Sequence, residues 1–274
     1  MHKHIALLQL IHSLQKKAKG FLFLDTHAGA GLYDLSGADA RHSGESQHGI
    51  ARLQQAVAAG GSSPHGAIAD YLARIERIRG VGGSRHLYPG SPLLAAAALR
   101  PVDVCIAVES QAQVSRALQR AFDQHAALLE LSPRVENGDG YAAIRRLLPP
   151  ALRRGLVLID PPYESADEER HIAAALADGL ERFESGVFAL WYPIKRQHEA
   201  DLFTARLLRG VSRPAVALEL CVNPADHSAG LNGSGLLVVN PPWQFDGEAQ
   251  DWQPQLLQWL GGTGGAAVKW LIHE

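Results

Sequence analysis

Asp160-Pro-Pro-Tyr163 sets a carboxylate, two rigid imino acids and an aromatic ring directly behind the apolar run Gly155-Leu-Val-Leu-Ile159. Leu156 to Ile159 has the continuous hydrophobicity of a strand covered on both faces, and neither proline can join a helix or donate to a ladder, so the chain must leave the sheet there. Ligands of open α/β sheets bind beyond the carboxyl ends of strands, which puts Asp160 and Tyr163 at a cleft. The chemistry these groups suit is attack by an exocyclic amino group on a planar base. Such an amine is a poor nucleophile, because its lone pair is delocalised into the ring. The Asp160 carboxylate and the Pro161 carbonyl, both acceptors, can take its two N–H bonds while the Tyr163 ring stacks on the base. An isolated Asp-Pro-Pro-Tyr fits a strand and a proline-rich turn equally well, so the other elements must decide.

Those elements alternate. His4 to Lys19 carries Ile5, Leu7, Leu8, Leu10, Ile11 and Leu14 at helical spacing, an amphipathic pattern that closes on Lys16, Lys17 and Lys19 before Gly20. Phe21 to Leu24 reads as a short buried strand, and Asp25-Thr-His-Ala-Gly-Ala-Gly31 follows it, with Gly29 and Gly31 free to turn sharply against a ligand. A nicotinamide-binding loop would place a third glycine where Asp34 stands and would open a helix, so dinucleotide binding is disfavoured. Val102 to Val108 predicts the next strand, ending on Glu109, a carboxylate placed to accept both hydroxyls of a ribose. Arg134 to Glu136 predicts a third, running into Asn137-Gly-Asp-Gly140. There Asp139 either accepts from an adenine amino group or belongs to an ordinary turn. Helices are expected from Ser91, whose hydroxyl caps the helix or reaches the cleft, over Ser110 to Ala121, over Glu168 to Phe183 and over Leu202 to Leu208. Strands are expected over Val187 to Tyr192, Val216 to Val222 and Gly235 to Val239. The last runs into Asn240-Pro-Pro-Trp243, a near copy of the central motif that is neutral and late in the chain; it reads as structural, or as a wall of the pocket. The alternation implies a doubly wound sheet.

Between Arg41 and Arg85 the pattern changes to polar turns around two helices, near Ile50 to Ala58 and Ala67 to Arg79. This suggests a helical insertion (41–85) in a domain formed by 1–40 and 86–274. The insertion brings Arg41, Arg52, Arg74, Arg77, Arg79 and Arg85, which fit a substrate-recognition surface, the alternative being an insertion that serves stability. Arg145, Arg146, Arg153 and Arg154 form the densest basic cluster and either meet phosphates or coat a solvated helix face. His42 and His48 lack a partner cluster and read as surface histidines, and no metal site is expected.

At 274 residues, 46% hydrophobic and with a formal net charge of −2, the chain is a globular protein and not a strongly basic one. Cys105 and Cys221 each sit in an apolar strand-like run, which points to burial and away from disulfide or zinc. No long uncharged apolar stretch or secretory signal is present, so a soluble, cytoplasmic protein is expected.

Asp-Pro-Pro-Tyr resembles the catalytic motif of amino-methyltransferases that use S-adenosylmethionine, and the acid-x-x-x-Gly-x-Gly loop resembles their cofactor loop. The wider set closely resembles the RlmJ family of bacterial adenine methyltransferases acting on 23S ribosomal RNA. It comprises Phe21-Leu-Phe-Leu-Asp-Thr-His-Ala-Gly-Ala-Gly-Leu-Tyr-Asp-Leu35, Gly44-Glu45, Tyr88-Pro-Gly-Ser-Pro92, Asp139-Gly140, Leu158-Ile-Asp-Pro-Pro-Tyr-Glu164, Ala189-Leu-Trp-Tyr-Pro193 and Asn240-Pro-Pro-Trp243. The resemblance implies a Rossmann-like S-adenosylmethionine-dependent methyltransferase fold. It implies a cofactor held by His4, His27, Gly29, Gly31, Ser91, Glu109, Asp139, Gly140 and Asp160, with Asp160, Pro161 and Tyr163 catalytic. The implied partner is protein-poor large-subunit ribosomal RNA, and a monomer without metal or membrane is expected. Family members also carry a short segment ahead of the position of Met1, associated with substrate contact. The same site would serve DNA adenine or protein amide methylation, or a catalytically silent cofactor- or RNA-binding module.

Overall fold

The computed structural model describes residues 1–36, 49–60, 62–224 and 230–273; Arg41, His42, Gly44, Glu45 and His48 lie outside them. Its centre is a single sheet. The strands are β1 (Leu22–Asp25), β4 (Val104–Glu109), β5 (Arg134–Asn137), β6 (Gly155–Ile159), β7 (Val187–Ile194), β8 (Ala215–Cys221), β9 (Gly233–Val239) and β10 (Gly265–Ile272), in the order β10-β8-β9-β7-β6-β1-β4-β5. From β5 to β7 neighbouring strands run parallel; β9 is antiparallel to both β7 and β8, and β10 to β8. A separate hairpin-like pair, β2 (Leu32–Asp34) and β3 (Leu87–Pro89), follows the glycine loop where a nicotinamide site would open a helix.

The strand period of two sorts side chains onto two faces. Phe23, Cys105, Ala107, Leu156, Leu158 and Ala189 join one core, and Leu24, Ile106, Val108, Val157, Ile159, Phe188 and Leu190 the other. The first core is closed by α1 (His2–Gln15), α2 (Ile50–Ala58), α3 (Gly66–Gly82), α4 (Ser91–Ala96) and α9 (Phe245–Trp259); the second by α6 (Gly140–Leu147), α7 (Glu168–Arg182) and α8 (Gln197–Leu207). A further helix, α5 (Ala112–Gln124), buries Leu118 and Phe122 in the first core. Layers on both faces of a mainly parallel sheet make this a Rossmann-like fold.

Three expectations need correction. The first helix is not amphipathic: His2 and His4 to Ile11 are all buried, because α3, α4, α9 and β9 surround it. Its buried polar groups are paired, His2 with Gln253 at 2.9 Å, and Gln9 with the Phe245 carbonyl at 2.9 Å and the Trp252 indole at 2.8 Å. Arg74 and Arg79 are not free recognition groups. Arg74 donates to Asp70 and the Ala97 carbonyl, and Arg79, 7% exposed, donates to Glu76 and the Leu87 carbonyl. The second basic cluster is no correction: Arg145 and Arg146 stand exposed on α6, as a solvated helix face would, paired with Asp178 and Glu136, while Arg154 donates to the Leu14 and Lys19 carbonyls. Cys105 is buried as expected, while Cys221 is only half-buried.

Candidate active site

The parallel strands end together, and their last residues meet at one end of the sheet. β6 is buried throughout between β1 and β7, so the turn it feeds is held from both sides, and Asp160 stands at its exit. Pro161 is buried, and Tyr163 adopts the left-handed φ of 57°. The Tyr163 hydroxyl donates to the Trp191 carbonyl at 2.5 Å, with its ring edge-on to Trp191 (5.8 Å) and Phe203 (6.1 Å). A backbone held in that region and tied by a hydrogen bond is a fixed platform beneath the carboxylate.

The partner of Asp160 comes from the other end of the chain. Lys3, on the first turn of α1, forms an ion pair with it and lies 5.6 Å from the centre of the Trp191 ring. Burial alone would lower the pKa of the Lys3 ammonium; contact with Asp160, reinforced by Asp25, raises it instead. Sequence reasoning missed Lys3 in this role. A lone lysine in a helix is ordinarily a solvated charge, and the available signal was its place between His2 and His4 at the head of an apolar run.

Beneath this pair lies Asp25, the last residue of β1 and fully buried. It accepts from the Ser91 hydroxyl at 2.7 Å and from the His27 amide at 3.3 Å. Burial pushes its carboxyl up to about 7, with nearby Asp160 adding to the rise and Ser91 opposing it. Ser91 therefore does not cap α4; its proton is committed to Asp25 while the residue lines the cleft. Burial holds the His4 and His27 imidazoles below the usual histidine range, His4 well below, so the cleft wall they form is neutral. His4 meets the Tyr88 hydroxyl at 3.2 Å, which in turn meets Tyr71 of α3 at 2.8 Å.

Glu109 ends β4 as expected. One carboxylate oxygen accepts from the Gly29 amide at 3.1 Å and the other from the Gln111 amide at 2.8 Å, so each keeps acceptor capacity while the carboxylate is held still. Gly29 (φ 65°) and Gly31 (φ 73°) make the loop's left-handed turns. Asp139 is the N-cap of α6, accepting from the amides of Tyr141 and Ala142, and Gly140 packs so closely on the Thr26 carbonyl that a side chain would overlap it. His27, packed edge-on against Tyr141 at 4.8 Å, lies within the field of Asp160, Glu109 and Asp139, which ties these strand ends into one electrostatic neighbourhood.

A cleft of about 800 Å³ is lined among others by Lys3, His4, His27, Ser91, Asp160 and Trp191, whereas Glu109, Asp139, Gly140 and Tyr163 are not part of its lining. Asn240-Pro-Pro-Trp243 is not one of its walls. β9 is antiparallel to β7, with Val239 opposite Phe188, so the motif emerges at the far end of the sheet.

The comparisons with known proteins show the family. The family described as ribosomal RNA large subunit methyltransferase D, RlmJ, matches residues 18–272. Ribosomal RNA large subunit methyltransferase J of Escherichia coli K12 is 35% identical over 274 residues, covering 99% of this chain and 94% of the relative; that of Haemophilus influenzae is 35% identical over 275 residues, with the same coverages. The crystal structure of a Legionella pneumophila protein superposes with a TM-score of 0.85 at 28% identity, covering 98% of this chain and 95% of that one. With a family match over nearly its whole length and relatives of this identity, the chain belongs to the RlmJ family of ribosomal RNA large subunit methyltransferases.

Proposed function

We propose that this protein transfers a methyl group from S-adenosylmethionine to the exocyclic amino group of an adenine in large-subunit ribosomal RNA. The observation that carries the proposal is Asp160, a side-chain acceptor paired with Lys3 on a rigid Pro-Pro turn in a cleft beside strand ends whose donors and acceptors suit a nucleoside and an amino acid. The fit rests on the donors and acceptors already in place. Glu109 has fixed oxygens with spare lone pairs for ribose hydroxyls, and Gly29 and Gly31 supply the left-handed turns of the loop whose Gly29 amide holds that carboxylate. Ser91, His4 and His27 would hold the amino-acid end and Asp139 the adenine edge. The bound cofactor supplies an electrophilic methyl group.

The chain's own residues do the rest. Asp160 and the Pro161 carbonyl accept hydrogen bonds from the two N–H groups of the target amine, which draws the nitrogen lone pair out of conjugation; one of these protons leaves the nitrogen once the methyl group has been transferred, and the other stays in the product. Asp160 also stabilises the positive charge that develops on that nitrogen. Tyr163 and Trp191 offer aromatic surface to an extruded base. Lys3 orients the carboxylate until the target amine donates its hydrogen bonds to it.

The test uses the purified chain with methyl-labelled S-adenosylmethionine and, in separate reactions, protein-free large-subunit ribosomal RNA, duplex DNA or ribosomal protein. Label is expected in the RNA as N6-methyladenine. Label in DNA alone, or in protein glutamine or asparagine, would overturn the substrate, and no transfer to any of them would overturn the enzyme.

A further inference from the structure

The second Pro-Pro motif builds a surface that the proposed reaction does not use. Asn240 and Gln244 both adopt left-handed backbone, φ 55° and 65°, within five residues. Strain of this kind in non-glycine residues persists only where surrounding contacts impose it, and it concentrates at functional sites. Here the contacts are explicit: the Asn240 side chain donates to the Glu184 and Gly186 carbonyls at 2.8 Å each, and its amide donates to the Pro214 carbonyl at 2.8 Å. The product of this anchoring is Trp243, held out at 80% exposure, which burial of the indole cannot explain.

Trp243 overlooks a cleft of about 670 Å³ lined by Pro241, Pro242, Asp246, Glu248, Trp270 and His273. Trp270 and His273 stack with ring centres 5.7 Å apart and planes at 22°, giving a second aromatic wall. The Trp270 indole N–H is already donated to Asp246 at 2.9 Å, which fixes that ring in the wall. The formal charges lining the cleft are both negative, Asp246 and Glu248, with Lys16 reaching Glu248 from α1 at 3.2 Å. Aromatic faces carry negative potential, so indoles beside carboxylates attract a weakly hydrated cation and repel a phosphate backbone.

We propose that this cleft, at the opposite end of the sheet from Asp160, docks an arginine-bearing segment of a protein partner, with the guanidinium over the Trp243 face and near Asp246 and Glu248. Calorimetry with an Arg-Gly-Arg-Gly-Arg peptide tests it on the full chain. The peptide is expected to bind the wild type, with affinity falling as salt rises. Citrulline in place of arginine should abolish binding, and Trp243→Ala should weaken it by about tenfold or more. Trp243→Phe, which keeps a ring, should bind between the two. Because the indole is exposed, all variants should melt with the wild type and keep their affinity for S-adenosylhomocysteine. The proposal is overturned if the peptide does not bind, if the citrulline peptide binds equally, or if Trp243→Ala is without effect. It is likewise overturned if a single-stranded oligoribonucleotide, and not the peptide, binds in a Trp243-dependent way.

Discussion

Asp25 makes a measurable demand on stability. Its carboxyl, ordinarily ionising near 3.8, is pushed up to about 7 in the fold. Between those values the folded protein keeps a proton that the unfolded chain has released, so stability from this residue falls as pH rises through that window. Asp25→Asn preserves an acceptor for Ser91 and removes the ionisation. The variant should match the wild type near pH 4 and exceed it at pH 8 by on the order of 3 kcal/mol in urea unfolding; parallel profiles would contradict the assignment. Lys3→Met should lower kcat/KM for methyl transfer by roughly 10- to 100-fold while leaving the fold intact, since Asp160 loses the charge that orients it. Unchanged kinetics would show the ion pair to be incidental. At this scale Asp160 and Glu109 were legible because each ends an apolar strand. Lys3 and the Ser91–Asp25 bond were not, because each joins distant stretches of chain whose meeting no local pattern encodes.

The element that carries Lys3 and His4 is held at its other end. The α1 carbonyls of Leu14 and Gln15, and those of Lys17 and Lys19 just beyond, are taken by the guanidinium groups of Arg154 and Arg100, and Arg100 is itself fixed by buried Asp103. Orphan carbonyls at a helix end need such donors, and cations there also oppose the helix dipole. Arg154→Ala should cost about 1–3 kcal/mol in chemical denaturation, because two carbonyls lose a charged donor; no change would mean that water replaces it freely. The two helices of the 41–85 segment lie where the apolar spacing put them, and Ile68, Tyr71, Ile75 and Ile78 belong to the same core as α1. We propose that this segment contributes to RNA recognition through its exposed groups, such as Arg77, and not through Arg74 or Arg79. Arg77→Ala should weaken ribosomal RNA binding and lower its salt dependence, with stability unchanged; Arg79→Ala should instead lower the melting temperature. β10 and α9 escaped the sequence reading. The strand follows a glycine-rich stretch and carries Lys269, whose amine pairs with Asp201 of α8 and with Glu219 of the adjacent strand β8, and the helix contains Pro254, a residue that argues locally against helix.

Across the whole molecule the alternation of strand and helix was readable, because both sheet faces are covered and the central strands need unbroken apolar runs. The direction of the last strands was not. Antiparallel return of β9 decides that Asp-Pro-Pro-Tyr and Asn-Pro-Pro-Trp stand at opposite ends of the sheet, and strand direction is a property of pairing that similar motifs conceal. Among the described residues no helix is long and apolar enough to cross a membrane. The central claim, that the strand ends converge on one carboxylate that activates an amine, is tested most directly by single-turnover methyl transfer to large-subunit ribosomal RNA by Asp160→Asn saturated with S-adenosylmethionine. The account predicts a loss of about a thousandfold or more in rate, since an amide can donate as well as accept and carries no charge opposite the developing cation. Transfer within a fewfold of the wild-type rate would contradict it.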